Sequence, residues 1–148
     1  MAMIHTITKT YDNLKAAHRQ WKHKGHCAFV HGENWRIDIT FGAEFLDDQN
    51  FVYDFGALRP LRAQLEYYFD HTVLIDNNDP QRPYFEEMHE KKLADVRFVP
   101  SAGAEGLAKF IFELADSYIR QNSNERVFCT KVDVYEDSRN KASYEAGK

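Results

Sequence analysis

Histidine, cysteine and glutamate side chains concentrate in one stretch of this 148-residue chain, from His18 to Asn34. The stretch holds four of the seven histidines and one of the two cysteines. Imidazole, thiolate and carboxylate groups bind borderline metal ions and transfer protons near neutral pH. Because these groups are sparse in the rest of the sequence, their density here predicts a functional site.

The spacing within the stretch is compatible with a metal site that keeps an open position. His31 and Glu33 are separated by one residue, so in an extended backbone their side chains lie on the same face. His18 can reach them from a neighbouring segment. His23 and His26 remain alternative ligands at this stage.

The two cysteines have different surroundings. Cys27 lies four residues before His31 among polar neighbours, close enough to sit beside a metal ion without ligating it, where a thiol would titrate easily. Cys129 has apolar neighbours and is expected to be a buried small hydrophobic residue. The two are far apart in sequence, and we expect no structural disulfide between them.

Composition limits the fold and the partners. A length of 148 residues with 43% hydrophobic residues is typical of a single domain with a core, and we assign residues 1–148 to one domain. The 19 Lys and Arg residues against 23 Asp and Glu residues, without a basic run, argue against nucleic acid or an anionic membrane as the main partner. No apolar run approaches the roughly 20 residues that span a bilayer, and the N-terminus lacks a basic region followed by an apolar core, so a soluble, cytoplasmic protein is expected.

The clearest secondary-structure pattern follows the histidine stretch. Trp35, Ile37, Ile39 and Phe41 alternate with polar residues, which predicts a strand with one buried face. If this strand extends back to His31, then His31 and Glu33 share the buried face with Trp35. A buried Glu33 would need a metal ion, a cation or a proton, because an unpaired carboxylate is costly there.

The remaining patterns predict an α+β protein. Apolar residues at helical spacing indicate one helix from about Phe55 to Phe69 and another that begins near Ser101 or Ala104. Strands are predicted at residues 3–11, 125–136 and 142–144, a loop at 14–32, a short surface helix at 84–92 and a brief extended piece at 96–99. In the 125–136 strand, Phe128, Val132, Val134 and Glu136 share one face. The order β-β-α-α-β-β favours an antiparallel sheet with two helices packed on one face.

Several motifs occur together in the order of a known family. They are Ala16-Ala17-His18-Arg19, Cys27 with His31-Gly32, Val52-Tyr53-Asp54-Phe55-Gly56, Asp70-His71 with Leu74, and Val132 to Glu136 with Tyr144. With these motifs the chain resembles the 6-pyruvoyltetrahydropterin and 6-carboxytetrahydropterin synthases, enzymes of the tunnelling fold that act on 7,8-dihydroneopterin triphosphate. The resemblance runs from about residue 7 to residue 144.

The resemblance implies a metal site and a set of proton-transfer groups. In the family, zinc is held by the histidine of an Ala-His pair and by two histidines of a His-Gly-His triplet; these positions correspond to His18, His31 and residue 33, which is Glu33 here. The catalytic cysteine corresponds to Cys27. The Asp-His pair that completes the proton relay corresponds to Asp70 and His71.

The resemblance also implies the substrate contacts, the assembly and the reaction. Glu136 corresponds to the glutamate that anchors the pterin ring, and Glu105 to a second substrate-side glutamate. Family members assemble edge to edge, typically as hexamers of two trimers. The three-residue gap between Cys27 and His31 resembles the carboxy type, which releases acetaldehyde and triphosphate in the queuosine pathway. A pyruvoyl-type enzyme and a non-catalytic pterin-binding or metal-binding paralogue are the alternatives.

Overall fold

The centre of the fold is a pair of long antiparallel strands in the computed structural model, which describes residues 3–147. Strand β1 spans His5–His18 and strand β2 spans His31–Ala43. Trp35, Ile37 and Phe41 are fully buried on one face of β2, which confirms the alternation predicted from the sequence. This face forms the floor of the main hydrophobic core.

Four further strands extend this pair into a six-stranded sheet in the order β4-β3-β1-β2-β5-β6. The further elements, in chain order, are α1 (Arg59–Phe69), β3 (Thr72–Asp76), α2 (Arg82–Glu90), β4 (Val96–Val99), α3 (Ala104–Asn122), β5 (Phe128–Tyr135) and β6 (Lys141–Glu145). Short 3-10 helices span His26–Ala28 and Phe55–Leu58. The predicted α+β class and the antiparallel centre of the sheet are confirmed.

The helices lie on both faces of the sheet. The long helices α1 and α3 pack on the main core, as predicted, through residues such as Leu61 and Ile111. Helix α2 packs through Phe85 on a smaller cluster with Ile75 and Val96. Leu74, the neighbour of Ile75 in β3, belongs to the main core. Because successive strand residues point to opposite faces, α2 covers the face opposite to α1 and α3.

One half of the sheet differs from the predicted antiparallel arrangement. The sequence prediction missed β3, and β3 runs parallel to both β1 and β4. Parallel strands that are buried on both faces show no polar alternation, so the short apolar run at residues 72–76 gave no strand signal. The sheet is therefore mixed, with its parallel strands on the β1 side.

Strands β1 and β5 each contain a bulge and differ from the prediction in further details. Strand β1 continues to His18, where a loop was predicted from Leu14 onwards. In β5, one additional residue lies between Cys129 and Lys131, which pair with Phe41 and Thr40. Cys129 is consequently buried, as predicted, whereas Phe128 lies on the other face from Val132 and its assignment to that face was wrong.

None of the helices within residues 3–147 has both the length and the apolar composition needed to cross a lipid bilayer.

Candidate active site

A β-bulge in β1 directs His18 into the core. Between Tyr11 and Leu14, β1 contains one residue more than the facing segment of β2. Asn13, in the bulge, has a φ of 61°, a left-handed conformation that asparagine tolerates better than most residues. The additional residue reverses the alternation of β1, so that His18 faces the core and its side chain is 0% exposed.

Strand β2 places His31 and Glu33 beside His18, on the face predicted from the sequence. His18 and His31 are direct partners in the antiparallel pair, with ring centroids 4.6 Å apart. Trp35 contacts the His18 ring edge to face at 4.9 Å. The Glu33 side chain is 20% exposed, so the group lies at the rim of the core rather than in its interior.

Each imidazole is oriented by a backbone carbonyl. His18 Nδ1 lies 2.7 Å from the carbonyl oxygen of Ala102, and His31 Nδ1 lies 2.8 Å from that of Phe29. Because a carbonyl only accepts hydrogen bonds, each Nδ1 donates and each neutral ring keeps its lone pair on Nε2. Glu33 Oε1 lies 3.8 Å from Nε2 of His18 and 3.3 Å from Nε2 of His31.

This arrangement fits a divalent metal ion. The three donor atoms of His18, His31 and Glu33 lie within 4.8 Å of one another. His18 Nε2 is buried and has no hydrogen-bond partner among residues 3–147, a costly state unless a ligand occupies the space in front of it. Burial lowers the pKa of His18, which keeps the ring in the neutral form that binds metals. Two imidazoles and one carboxylate are a donor set used by open zinc sites.

The other candidates in the histidine stretch lie outside this group. Among the His, Cys, Asp and Glu residues of the described chain, the candidate metal-binding group consists of His18, His31 and Glu33. His23 Nδ1 accepts a hydrogen bond from the Gly25 N–H at 2.8 Å, and His26 lies 6.4 Å from the Phe29 ring. Cys27 lies in the 3-10 helix His26–Ala28, is half-buried and has a free thiol.

An open cleft of about 690 Å³ extends from Glu33 of the candidate metal-binding group to His71 and Glu136, one predicted catalytic and one predicted substrate-binding residue. The lining residues that carry chemistry are Glu33, His71, Glu136 and Asp137. His71 Nδ1 lies 2.7 Å from Asp70 Oδ1. The carboxylate accepts from Nδ1, and His71 Nε2 remains available as a proton acceptor.

The backbone at His71 has an uncommon conformation. His71 follows α1 and precedes β3, and its φ is 59°. Its N–H donates to the carbonyl oxygen of Lys15 at 2.6 Å, which attaches this turn to β1. Among the described residues, Asp70 is the one that holds the imidazole by a hydrogen bond, and the His71 side chain is 82% exposed.

Glu136 combines partial burial with negative surroundings. It follows β5, and its backbone N–H donates to the carbonyl oxygen of Asn140. Burial, followed by the charges of Glu33, Glu105 and Asp137, raises the pKa of Glu136. A carboxylate in this environment favours a ligand that donates hydrogen bonds.

Glu105 is close enough to influence Glu136 but does not line the cleft. It lies in the first turn of α3 and borders a separate cavity of about 150 Å³ that is also lined by Arg19 and Gln20. Cys27 is likewise absent from the lining of the cleft in the described chain. The structure thus brings together six of the eight predicted residues in one connected region, whereas Cys27 and Glu105 lie outside the lining of the cleft.

Sequence reasoning missed several groups that shape the site. The carbonyls of Ala102 and Phe29 orient the two imidazoles, but backbone groups carry no sequence signal. Asp137 lines the cleft and caps the following turn by accepting from the N–H groups of Arg139 and Asn140. Asn13, a turn-forming residue within a β-branched run, is the one signal that would have indicated the bulge.

The fold and the site define a class of proteins: a mixed sheet with two long helices on one face and, beside an open cleft, a group of two histidines and a carboxylate. The family model described as "6-pyruvoyl tetrahydropterin synthase" matches residues 6–147. The chain belongs to this family.

A curated relative agrees with this membership, and solved structures share the fold. A 6-carboxy-5,6,7,8-tetrahydropterin synthase from Aquifex aeolicus is 29% identical over 93% of this chain and 96% of its own length. A crystal structure of an uncharacterized protein from Wolinella succinogenes superposes with a TM-score of 0.82 at 19% identity, covering 98% of this chain and 99% of that one. The Caenorhabditis elegans 6-pyruvoyl tetrahydropterin synthase has a TM-score of 0.68 at 22% identity, covering 98% and 97%.

Proposed function

We propose that this protein is a zinc-dependent 6-carboxytetrahydropterin synthase. It converts 7,8-dihydroneopterin triphosphate to 6-carboxy-5,6,7,8-tetrahydropterin, releases acetaldehyde and triphosphate, and supplies the pathway to queuosine. The curated relative from Aquifex aeolicus bears the name of this enzyme, and the chain belongs to the same enzyme family.

The observation that carries the proposal is the orientation of the two histidines. Both Nδ1 atoms are engaged by backbone carbonyls, and both Nε2 atoms lie near Glu33 Oε1. We propose that His18, His31 and Glu33 hold zinc through these atoms. When bound, zinc supplies a Lewis acid that polarises the substrate side chain. A carboxylate ligand adds negative charge, so this site should be a weaker Lewis acid than one with three histidines.

Two groups are proposed to move protons: His71, which lines the cleft, and Cys27, which lies outside the lining. Cys27 acts as the base that removes a proton from the substrate side chain. His71 returns or removes the second proton at Nε2, while Asp70 fixes the tautomer through the 2.7 Å bond to Nδ1. Two groups are needed because protons leave and return on adjacent carbons.

Glu136 and Glu105 are proposed to bind the pterin. The ring offers an N–H edge and an amino group, which one ionised carboxylate can accept together. Glu136 lines the cleft and has a raised pKa, so bringing two donors to it relieves the repulsion from neighbouring acids. Glu105 borders the neighbouring cavity rather than the cleft, and we propose that it contacts the substrate from the α3 side.

We also propose that copies of the chain join through the free edges of the sheet into a hexamer of two trimers. Strands β4 and β6 are the two edges, and exposed strand edges favour pairing with another chain. Sedimentation analysis of the purified protein tests this proposal; a stable monomer contradicts it.

Product analysis tests the reaction. The zinc-loaded protein is incubated with 7,8-dihydroneopterin triphosphate, and the pterin products and acetaldehyde are quantified by chromatography. The proposal predicts 6-carboxytetrahydropterin and acetaldehyde in equal amounts. Formation of 6-pyruvoyltetrahydropterin alone would assign the pyruvoyl type, and pterin binding without turnover would assign a non-catalytic paralogue; either result rejects the proposal.

A further inference from the structure

Arg19, the residue after His18, makes an ion pair that the proposed reaction does not use. Its Nε and Nη2 donate to the two carboxylate oxygens of Asp79 at 2.7 and 3.0 Å. The Asp79 side chain is 0% exposed, and Arg19 is the cationic side chain that pairs with it in the described part of the chain. A bidentate guanidinium-carboxylate pair with a buried partner fixes both side chains in position.

The same guanidinium reaches the loop that carries Cys27. Arg19 Nη1 donates to the carbonyl oxygen of Ala28 at 3.3 Å, and the backbone N–H of Gln20 donates to the carbonyl oxygen of Cys27 at 2.8 Å. Residues 19 and 20 therefore hold two consecutive carbonyls of the 3-10 helix His26–Ala28.

The Cys27 helix has little other support. None of its three residues is buried, and its N-cap makes no side-chain hydrogen bond. The next residue, Phe29, is 71% exposed. A three-residue 3-10 helix is too short to be stable alone, so its position depends on the contacts made by residues 19 and 20 and on the hydrogen bond from His31 Nδ1 to the carbonyl oxygen of Phe29, the residue that ends the helix.

Asp79 is itself held by the connection between β3 and α2. Its Oδ1 accepts from the Gln81 N–H at 2.8 Å, and its backbone N–H donates to the carbonyl oxygen of Asp76 at 3.0 Å. Phe85 of α2 lies 5.8 Å from the Arg19 guanidinium carbon and packs beneath it. The segment from Asp76 to α2, which does not line the cleft, thus forms the support for Arg19.

We propose that Arg19 and Asp79 are positioning residues that hold the Cys27 helix in place beside the histidine pair. This inference rests on the proposed role of Cys27 as a base. Arg19 acts through the carbonyl of Ala28, and Asp79 acts through Arg19. Neither residue contacts the substrate.

Two substitutions test the support from its two sides. Asp79→Asn keeps the size and one acceptor but removes the charge that holds Arg19. Arg19→Lys keeps the charge but loses the planar fork, so it cannot bind Asp79 and Ala28 together. Glu86→Gln is the matched control, because it weakens the exposed Arg82–Glu86 pair on the same segment.

The first readout is the rate at which iodoacetamide alkylates Cys27 in the folded, metal-loaded protein. It is followed by peptide mass analysis, and buried Cys129 serves as the internal reference for intact folding. Loss of the support lets the helix open more often, and we expect about a tenfold faster reaction in Asp79→Asn and a smaller increase in Arg19→Lys. Glu86→Gln should react at the wild-type rate.

The second readout separates positioning from general stability. A displaced base lowers kcat, on the order of 100-fold for a 1 Å shift, while KM stays within about threefold of wild type. The inference would be overturned if Asp79→Asn and Arg19→Lys kept the wild-type alkylation rate and the wild-type kcat, even if their Tm were lower. Alkylation requires no substrate, so the inference can be decided even if the protein fails to turn over dihydroneopterin triphosphate.

Discussion

The two ends of the cleft are built by different means. At the metal end, His18, His31 and Glu33 project from paired strands, and each imidazole has a carbonyl partner. At the relay end, His71 lies in a turn between α1 and β3 and is 82% exposed, and its ring is oriented by the hydrogen bond to Asp70.

The difference indicates which properties each end controls. Strand register fixes the metal end, so a substitution there should alter metal binding and stability together. A single hydrogen bond orients the relay end, so a substitution there should alter turnover while metal content and folding stay unchanged.

The largest effect is expected for His18→Ala. Removing this ligand should weaken metal binding by more than about 100-fold and abolish turnover. Mutating a residue that only hydrogen-bonds to a metal ligand already lowers metal affinity by roughly 10–100-fold. The cavity left beside Trp35 should also lower the Tm. Metal content after dialysis and thermal unfolding measure both effects. His5→Ala, an exposed histidine at the start of β1, is the control; equal metal content in both variants would contradict the assignment.

Asp70→Asn should affect the relay end alone. Without the carboxylate, the His71 ring loses its fixed tautomer, and kcat should fall on the order of 100-fold. Metal content and Tm should match wild type, in contrast to His18→Ala. Steady-state kinetics with metal analysis checks this, with exposed Asp48→Asn as the control. A parallel loss of metal would remove the distinction between the two ends.

Glu136→Gln should affect substrate binding more than the chemical step. Loss of the ionised acceptor should raise KM about tenfold or more, because a hydrogen bond to a charged group is worth about 1.5–3 kcal/mol. Kinetics against the exposed Glu44→Gln control measure the change. A lower kcat at unchanged KM would instead place Glu136 in proton transfer.

The smallest effect concerns the core near the other end of β2, where Cys129 pairs with Phe41. Burial raises the pKa of Cys129 from 9.0 to about 12. The folded state thus disfavours the thiolate. The contribution of the Cys129 thiol to the free energy of unfolding is therefore fully present below pH 9 and is lost as the pH rises from 9 towards 12. Wild type should lose roughly 1 kcal/mol more than Cys129→Ala between pH 8 and about pH 10. Urea unfolding at both pH values checks this; identical losses would show that Cys129 does not resist ionisation.

The sequence predicted the metal end better than the relay end. Alternation along β2 placed His31, Glu33 and Trp35 on one face, and the structure confirms that face because side-chain direction in a strand follows from spacing alone. His18 was a candidate from its residue type, but its orientation depends on the bulge at Asn13. The same bulge interrupts the alternation of β1, so residues 14–18, which were predicted as a loop, showed no strand period in the sequence.

Long-range contacts explain what the sequence could not predict. Ala102 is 84 residues from His18, and no local pattern indicates that its carbonyl meets that ring. The parallel strand β3 lacks a polar face and was missed, although it carries the turn at His71 into the cleft. Phe128 was assigned to the wrong face because a bulge changes the period without changing the composition.

Metal content is the most direct test of the central claim that His18, His31 and Glu33 form one metal site. Wild type and Glu33→Gln, which keeps the size of the side chain, are dialysed against a weak chelator and analysed by mass spectrometry for bound divalent ions. We expect about one zinc ion per chain in wild type and a clear loss in Glu33→Gln. A wild-type protein that binds no metal ion, or a Glu33→Gln variant that binds zinc as tightly as wild type, would contradict a metal site formed by these three residues.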